Sequence, residues 1–204
     1  MQSIAIVVDD NSRVVTAMTR MLHSNGFDTV AFTTFDQAMR DIALTSPRVA
    51  FIDYILDRGN SGAAVVDHVR HLFGNQLLIG MVTAYGTEHI SSQCLRVDQI
   101  FAKPVTTSAI SAFLRCSITH HLHLSGHVSH TLSALADYYE LSTQEFRVLA
   151  NVASGSTRTN LALDIGISSN TVKGQVRQLL KKMECDCLSD LSSMLMRRLN
   201  RESQ

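Results

Sequence analysis

Apolar residues in the first 115 positions fall into two alternating patterns. Short, nearly continuous runs rich in β-branched residues occupy residues 4–8, 49–52, 77–82 and 100–102, with a weaker run at 29–32. Runs of this kind predict strands buried on both faces, as in a parallel sheet. Between them the spacing is helical. Val14, Val15, Met18, Met21 and Leu22 recur on one helix face, and Gly26 supplies a stop. Thr34 to Gln37 has the form of a capping box and opens a helix that ends before Pro47. Residues 63–73 and 108–117 predict two more helices. Strand-helix alternation repeated five times predicts an α/β domain, a doubly wound five-stranded parallel sheet over residues 1–118.

The pattern then changes. Residues 119–131 contain five of the nine histidines, with serines and a glycine, and lack sustained periodicity, which predicts a linker. Residues 132–204 carry no strand candidate and predict an all-α domain. Leu132, Leu135, Ala136 and Tyr139 share helical spacing, and Ser142 to Glu145 is a second capping box. Phe146, Leu149 and Ala150 continue that helix until Gly155. A short helix at 161–165 meets a tight turn at Gly166, and Ser168 caps the next helix, which carries Val172, Val176, Leu179, Leu180 and Met183. A last helix runs from about 189 to 199.

Composition removes several classes. Apolar residues at 45% and charged residues at 18% describe a globular chain, not a disordered one. The N-terminus lacks a basic region ahead of its apolar stretch, so it does not read as a signal peptide. No apolar run reaches membrane-spanning length, so no membrane partner is expected. Four cysteines without a CxxC pair are expected to be reduced thiols of a cytoplasmic protein. The histidine group lacks zinc-module spacing, and Cys185-x-Cys187 is too close for an ordinary ligand pair.

Chemistry gathers at the predicted strand ends. Asp9 and Asp10 close the first strand run and Asp53 the third. Ligands of open α/β sheets bind at the carboxyl ends of strands. Three converging carboxylates call for a cation, and Mg²⁺ suits them because it accepts a few carboxylates and keeps several waters. Thr83 and Lys103 end the fourth and fifth runs at the same rim. A hydroxyl and an ammonium beside a metal and a carboxylate make a site for a tetrahedral dianion, with Asp53 as the nucleophile toward a phosphoryl group.

Val8-Asp9-Asp10, Asp53, Thr83-Ala84 and Lys103-Pro104 together resemble the receiver domain of two-component response regulators. The resemblance implies a flavodoxin-like fold, phosphotransfer from a sensor histidine kinase to Asp53, and Mg²⁺ held by Asp10, Asp53 and the backbone carbonyl of Ile55, with Asp9 acting mainly through water. It also implies a cis Lys103–Pro104 bond, with Thr83, Ala84, Lys103 and Pro104 around the phosphoryl group. Asp57 stands where the family has proline, and Ile100 where it has a switch aromatic. The interval from Thr83 to Lys103 is short, which predicts a short or irregular fourth helix. Ile55 and Tyr85 flank the site where other receivers carry polar residues, which predicts slow self-dephosphorylation.

In the second domain, residues 141–183 resemble the LuxR/NarL/FixJ-type helix-turn-helix, through Leu141, Ser142, Glu145, Gly155, Ala162, Gly166, Ile167, Ser168, Thr171, Val172, Lys173 and Lys182. That resemblance implies a four-helix domain that binds double-stranded DNA. Arg reads guanine edges and Gln adenine edges, while lysines neutralise phosphates. Asn170, Thr171, Lys173, Gln175, Arg177, Lys181 and Lys182 are the expected DNA contacts, and Leu191, Leu195 and Leu199 the expected pairing residues of a homodimer. Asn160 replaces the family's glutamate, and Gly174 removes a side chain from the recognition helix.

The whole reads as a response-regulator transcription factor acting through DNA, with RNA polymerase a candidate partner and no separate enzymatic activity. A rival keeps the DNA-binding output but places control in protein contacts, on the strength of Ile100 and the short fourth helix. Net charge sharpens the picture. Lys+Arg and Asp+Glu number 18 each, yet residues 1–139 balance at −2 and residues 140–204 at +2. A mildly basic helical domain predicts modest non-specific DNA affinity.

Overall fold

The five apolar runs form five strands, β1 (Ile4–Val8), β2 (Asp28–Phe32), β3 (Pro47–Asp53), β4 (Leu78–Thr83) and β5 (Gln99–Ala102), in a computed structural model that describes residues 3–84 and 96–201. Every pairing is parallel, and the order is β2-β1-β3-β4-β5. Strand order therefore reverses at β1 and β3, and the crevice where ligands bind in such sheets opens at the carboxyl ends of these two strands. The chain divides at residue 117, with one unit spanning Ser3–Ser117 and the other beginning at Ile118.

Among the described residues, α-helices α1 (Ser12–Ser24), α2 (Phe35–Asp41), α3 (Gly62–Phe73) and α4 (Thr107–His121) accompany the sheet. Asn11, Thr34 and Ser61 cap the first three by accepting from Arg13, Gln37 and Ala63 backbone N–H groups. The helix expected between Thr83 and Lys103, and Tyr85 with it, lie outside the described residues. One face of the sheet buries Ile6, Val8, Ile52, Ile79 and Met81 against Val65, Val66 and Val69 of α3. On the other, Phe51, Phe101 and Phe113 pack with ring centroids 5.4 to 5.9 Å apart. Gly80 makes that cluster fit, because a Cβ there would stand 2.6 Å from the Phe101 ring.

Arg70 of α3 is a buried cation, 6% exposed. Its Nε donates to the Arg96 carbonyl at 2.7 Å, Nη1 to the carbonyls of Gly74 and Leu77, and Nη2 to Asp98 Oδ2 at 2.7 Å. The same Asp98 oxygen accepts from Ile79 N–H of β4 at 2.7 Å. One guanidinium thus ties the approach to β5 onto β4 and α3.

The stretch read as a linker is mostly helical. α4 continues to His121, and α5 (Gly126–Tyr138) follows closely. His123 adopts a left-handed conformation (φ 53°), Leu124 N–H bonds the Thr119 carbonyl, and Ser125 caps α5. This paired arrangement of end-of-helix bonds closes α4 without a glycine. The remaining helices are α6 (Thr143–Ala153), α7 (Leu161–Ile165), α8 (Ser169–Lys182) and α9 (Leu188–Arg201). Ser142 and Glu145 complete their reciprocal capping box at α6, Gly166 turns the chain in the left-handed region between α7 and α8, and Ser168 caps α8. α6 is the hub of this unit, packing on α5, α7, α8 and α9.

Candidate functional site

One carboxylate oxygen from each of Asp9, Asp10 and Asp53 lies within 4.8 Å of the others at the strand-order switch. Strand alternation accounts for this: the buried runs 4–8 and 47–53 sit side by side in register, with Val8 opposite Ile52, and the acids follow where the strands run out. Asp9 and Asp53 are buried and Asp10 is exposed. Asp9 Oδ1 accepts from Asn11 N–H at 2.9 Å, which fixes it against the start of α1.

Lys103 completes the group. Its Nζ lies 2.8 Å from Asp9 Oδ2 and 2.8 Å from Asp53 Oδ2. Burial raises the Asp53 carboxyl above the ordinary carboxylate value, with Asp9 adding to the rise; hydrogen bonds from Lys103 and Ile55 N–H oppose it without reversing it. Burial alone would lower the Lys103 ammonium, but its hydrogen bonds to Asp53 and Asp9 outweigh that and leave it raised. The site therefore holds a partly desolvated carboxylate beside a firmly charged cation.

The neighbouring residues are placed by backbone bonds. Thr83 is fully buried, and its carbonyl accepts from Lys103 N–H at 2.7 Å, so the two residues expected on a phosphoryl group adjoin. Ala84 and Pro104 lie at the same rim, Ala84 exposed, and the Lys103–Pro104 bond is cis. Gly62, the first residue of α3, approaches so closely that a Cβ would stand 1.9 Å from the Asp53 carbonyl oxygen. Asp57, out of pattern for the resemblance, makes a contact of its own. Its Oδ1 accepts from Phe35 N–H at 2.8 Å, binding the loop after Asp53 to the first turn of α2. Nothing in the sequence around Asp57 or Gly62 signals these contacts, because their partners are distant in the chain or are backbone atoms.

In the helical unit, α8 buries Val172 and Leu179 and exposes Asn170, Thr171, Lys173, Arg177 and Lys181. Two expected DNA contacts are engaged elsewhere. Lys182 Nζ donates to Glu145 Oε2 at 2.7 Å and to the Glu140 carbonyl at 2.8 Å. Gln175 Nε2 donates to Gln144 Oε1 at 2.9 Å, on α6. The pairing residues need correction more firmly. Leu191 and Leu195 are 0% and 2% exposed, so they belong to the core of this unit and cannot present a surface to a second subunit. Their spacing of four matched an apolar stripe that faces inward. Leu199 is half-buried, and the exposed apolar residue of α9 is Met196.

Residues 5–115 match the family model described as response regulator receiver domain, and residues 139–195 match the one described as bacterial regulatory proteins, luxR family. The chain is 23% identical over 192 residues to the response regulator protein TmoT of Ectopseudomonas mendocina, spanning 93% of this chain and 86% of TmoT. Full-length FixJ from B. japonicum superposes with a TM-score of 0.53 at 18% identity, covering 98% of each chain. The receiver domain of the sensor histidine kinase PA1611 from Pseudomonas aeruginosa PAO1, with a magnesium ion coordinated in its active site cleft, superposes with a TM-score of 0.51 at 21% identity. That likeness covers 57% of this chain and 97% of the PA1611 receiver.

Proposed function

Because the chain belongs to the response regulator receiver family and carries a LuxR-type DNA-binding domain, it is a phosphorylation-controlled transcription regulator, and we propose that Asp53 is its phosphoacceptor. The observation that carries this is the Lys103 ammonium 2.8 Å from Asp53 Oδ2, at a rim that also holds Asp9, Asp10 and Thr83. The phosphoryl donor is a sensor histidine kinase. Asp53 attacks phosphorus, the P–N bond to the donor imidazole breaks, and its electron pair leaves with the nitrogen.

The donor set fits Mg²⁺, being three hard carboxylates gathered within reach of one small cation. Asp9, Asp10, Asp53 and the Ile55 carbonyl would hold it, and when bound it supplies neutralisation of charge on the phosphoryl oxygens. Lys103 exchanges its contact with Asp53 for a phosphoryl oxygen. Thr83 donates its hydroxyl to another. Asp57 ties the loop that carries Ile55 to the first turn of α2.

The output is double-stranded DNA, read by α8 through Asn170, Thr171, Lys173 and Arg177, with Lys181 on phosphate. Phosphorylation shifts the chain toward a homodimer that binds promoters and meets RNA polymerase. The cytoplasm is the expected setting; among the described residues no helix is long and apolar enough to cross a membrane.

Intact-mass measurement of the full chain after incubation with a small-molecule phosphodonor and Mg²⁺ tests the acceptor. One phosphoryl group is expected on the wild type and none on Asp53→Asn. A labelled Asp53→Asn protein would move the acceptor elsewhere.

A further inference from the structure

The recognition helix carries two glutamines, Gln175 and Gln178, and their surroundings differ. On α8 the core-facing stripe runs Val172, Val176, Leu179, and the stripe that points away from the core runs Asn170, Gly174, Arg177, Lys181 at similar spacing. Gln175 stands at the border with α6. Its Nε2 is spent on Gln144, and its Oε1 is buried with no hydrogen-bond partner. Pairing an amide with adenine needs both its oxygen and its nitrogen at the base edge, for N6 and N7. Gln175 offers neither freely.

Gln178 is exposed and lies one turn beyond Gly174. Long side chains on a helix lean toward the N-terminus and cover the turn three to four residues back. Gln178 lines the depression shared with Ser142, Glu145, Lys181 and Lys182, and a lean toward the N-terminus brings it to the edge of the patch over Gly174. A Cβ on Gly174 would meet nothing within 4 Å, so that patch is open. Glycine in a helix interior costs about 1 kcal/mol relative to alanine. Here it lets the helix axis approach the groove and leaves a path for Gln178 toward the N-terminal half, where such helices contact base edges.

We propose that Gln178 is a specificity-determining residue that reads an adenine edge in the major groove across the space left by Gly174, while Gln175 positions α8 against α6. This rests on the DNA-binding reading of the helical unit.

The test is selection from a pool of randomised duplexes by the full chain, with beryllofluoride and Mg²⁺, at one stated salt concentration. The wild type is expected to enrich a motif containing adenine. Gln178→Ala should lose that preference roughly tenfold or more at one position and keep the others. Gln178→Glu should shift the same position toward cytosine, since a carboxylate accepts from its N4 amine. Gln175→Ala should weaken binding to all sequences alike and keep the relative preference for adenine. An unchanged motif with both Gln178 variants, or loss of adenine with Gln175→Ala, overturns the assignment while leaving DNA binding intact. A wild type that enriches no motif overturns the DNA-binding reading and this proposal with it.

Discussion

Lys182 Nζ donates to Glu145 Oε2 at 2.7 Å, joining the last turn of the recognition helix to the first turn of α6. Glu145 is 3% exposed and also accepts from the Ser142 amide and hydroxyl. A lysine that sequence reading assigns to DNA phosphate is thus the counter-charge of a buried carboxylate. The distinction has measurable consequences.

Lys182→Met should destabilise the helical unit by about 1–3 kcal/mol, the cost of leaving a buried acceptor short of a partner. Lys181→Ala should leave stability unchanged and lower the slope of log K against log salt by about 0.9, the loss of one phosphate contact. Denaturant unfolding and salt-titrated DNA binding on the two variants separate the roles.

The same pair fixes a pH dependence. Burial alone would raise the Glu145 carboxyl, but its bonds from Lys182 and Ser142 outweigh burial and hold it below the ordinary glutamate value of 4.5. A carboxyl lowered by folding contributes stability that is fully present above its unfolded value and is lost as pH falls through its folded one. Amide exchange in α6 and α8 should accelerate on acidification below about pH 4.5, and Glu145→Gln should flatten that dependence.

Gly62→Ala should cost about 1–3 kcal/mol, because its Cβ would overlap the Asp53 carbonyl oxygen at 1.9 Å. The backbone that relieves the clash is that of Asp53 itself. Phosphoacceptance should therefore fall more than stability does, and phosphorylation rates beside thermal unfolding would reveal it.

Asp57→Ala removes the side chain that accepts from Phe35 N–H in the first turn of α2, worth about 0.5–2 kcal/mol by analogy with other helix N-terminal contacts. Mg²⁺ affinity should weaken along with stability, since the freed loop carries the Ile55 carbonyl. Equal Mg²⁺ titrations of variant and wild type would show the loop to be held by other means.

Ile55 is 43% exposed beside Asp53 and has no group that could orient an attacking water. The phosphorylated protein should hydrolyse slowly, and Ile55→Asn should speed the loss several-fold. Following hydrolysis of the purified phosphoprotein decides this, and rapid Mg²⁺-dependent loss from the wild type would count against it.

Residues whose placement depends on chain order were legible. Asp53 and Thr83 close β3 and β4, and Asp9 and Lys103 directly follow β1 and β5, so a parallel sheet must bring them to one rim. Residues whose role depends on a side chain finding a distant partner were not. Helical spacing over residues 63–73 says nothing of Arg70, whose guanidinium donates to the carbonyls of Gly74, Leu77 and Arg96 further along the chain. The histidines at 120–130 hid two helix ends, because polar composition imitates a linker while the Leu124 backbone bond closes one helix and the Ser125 side chain caps the next. Leu191 and Leu195 showed the right periodicity, but periodicity alone does not say which partner fills the stripe.

The Arg70 guanidinium also restricts what can replace it. Its bonds lie in the plane of a rigid fork and reach Arg96, Gly74, Leu77 and Asp98 together. A lysine carries the same charge but directs three donors in a tetrahedron from a single nitrogen, and it cannot span those acceptors. The β4–β5 junction aligns Thr83 with Ala102 and so sets Lys103 beside the acids. Charge-preserving change, the mildest kind by composition, is therefore among the harshest at this position. A residue remote from any phosphate inherits the intolerance expected of one that touches it.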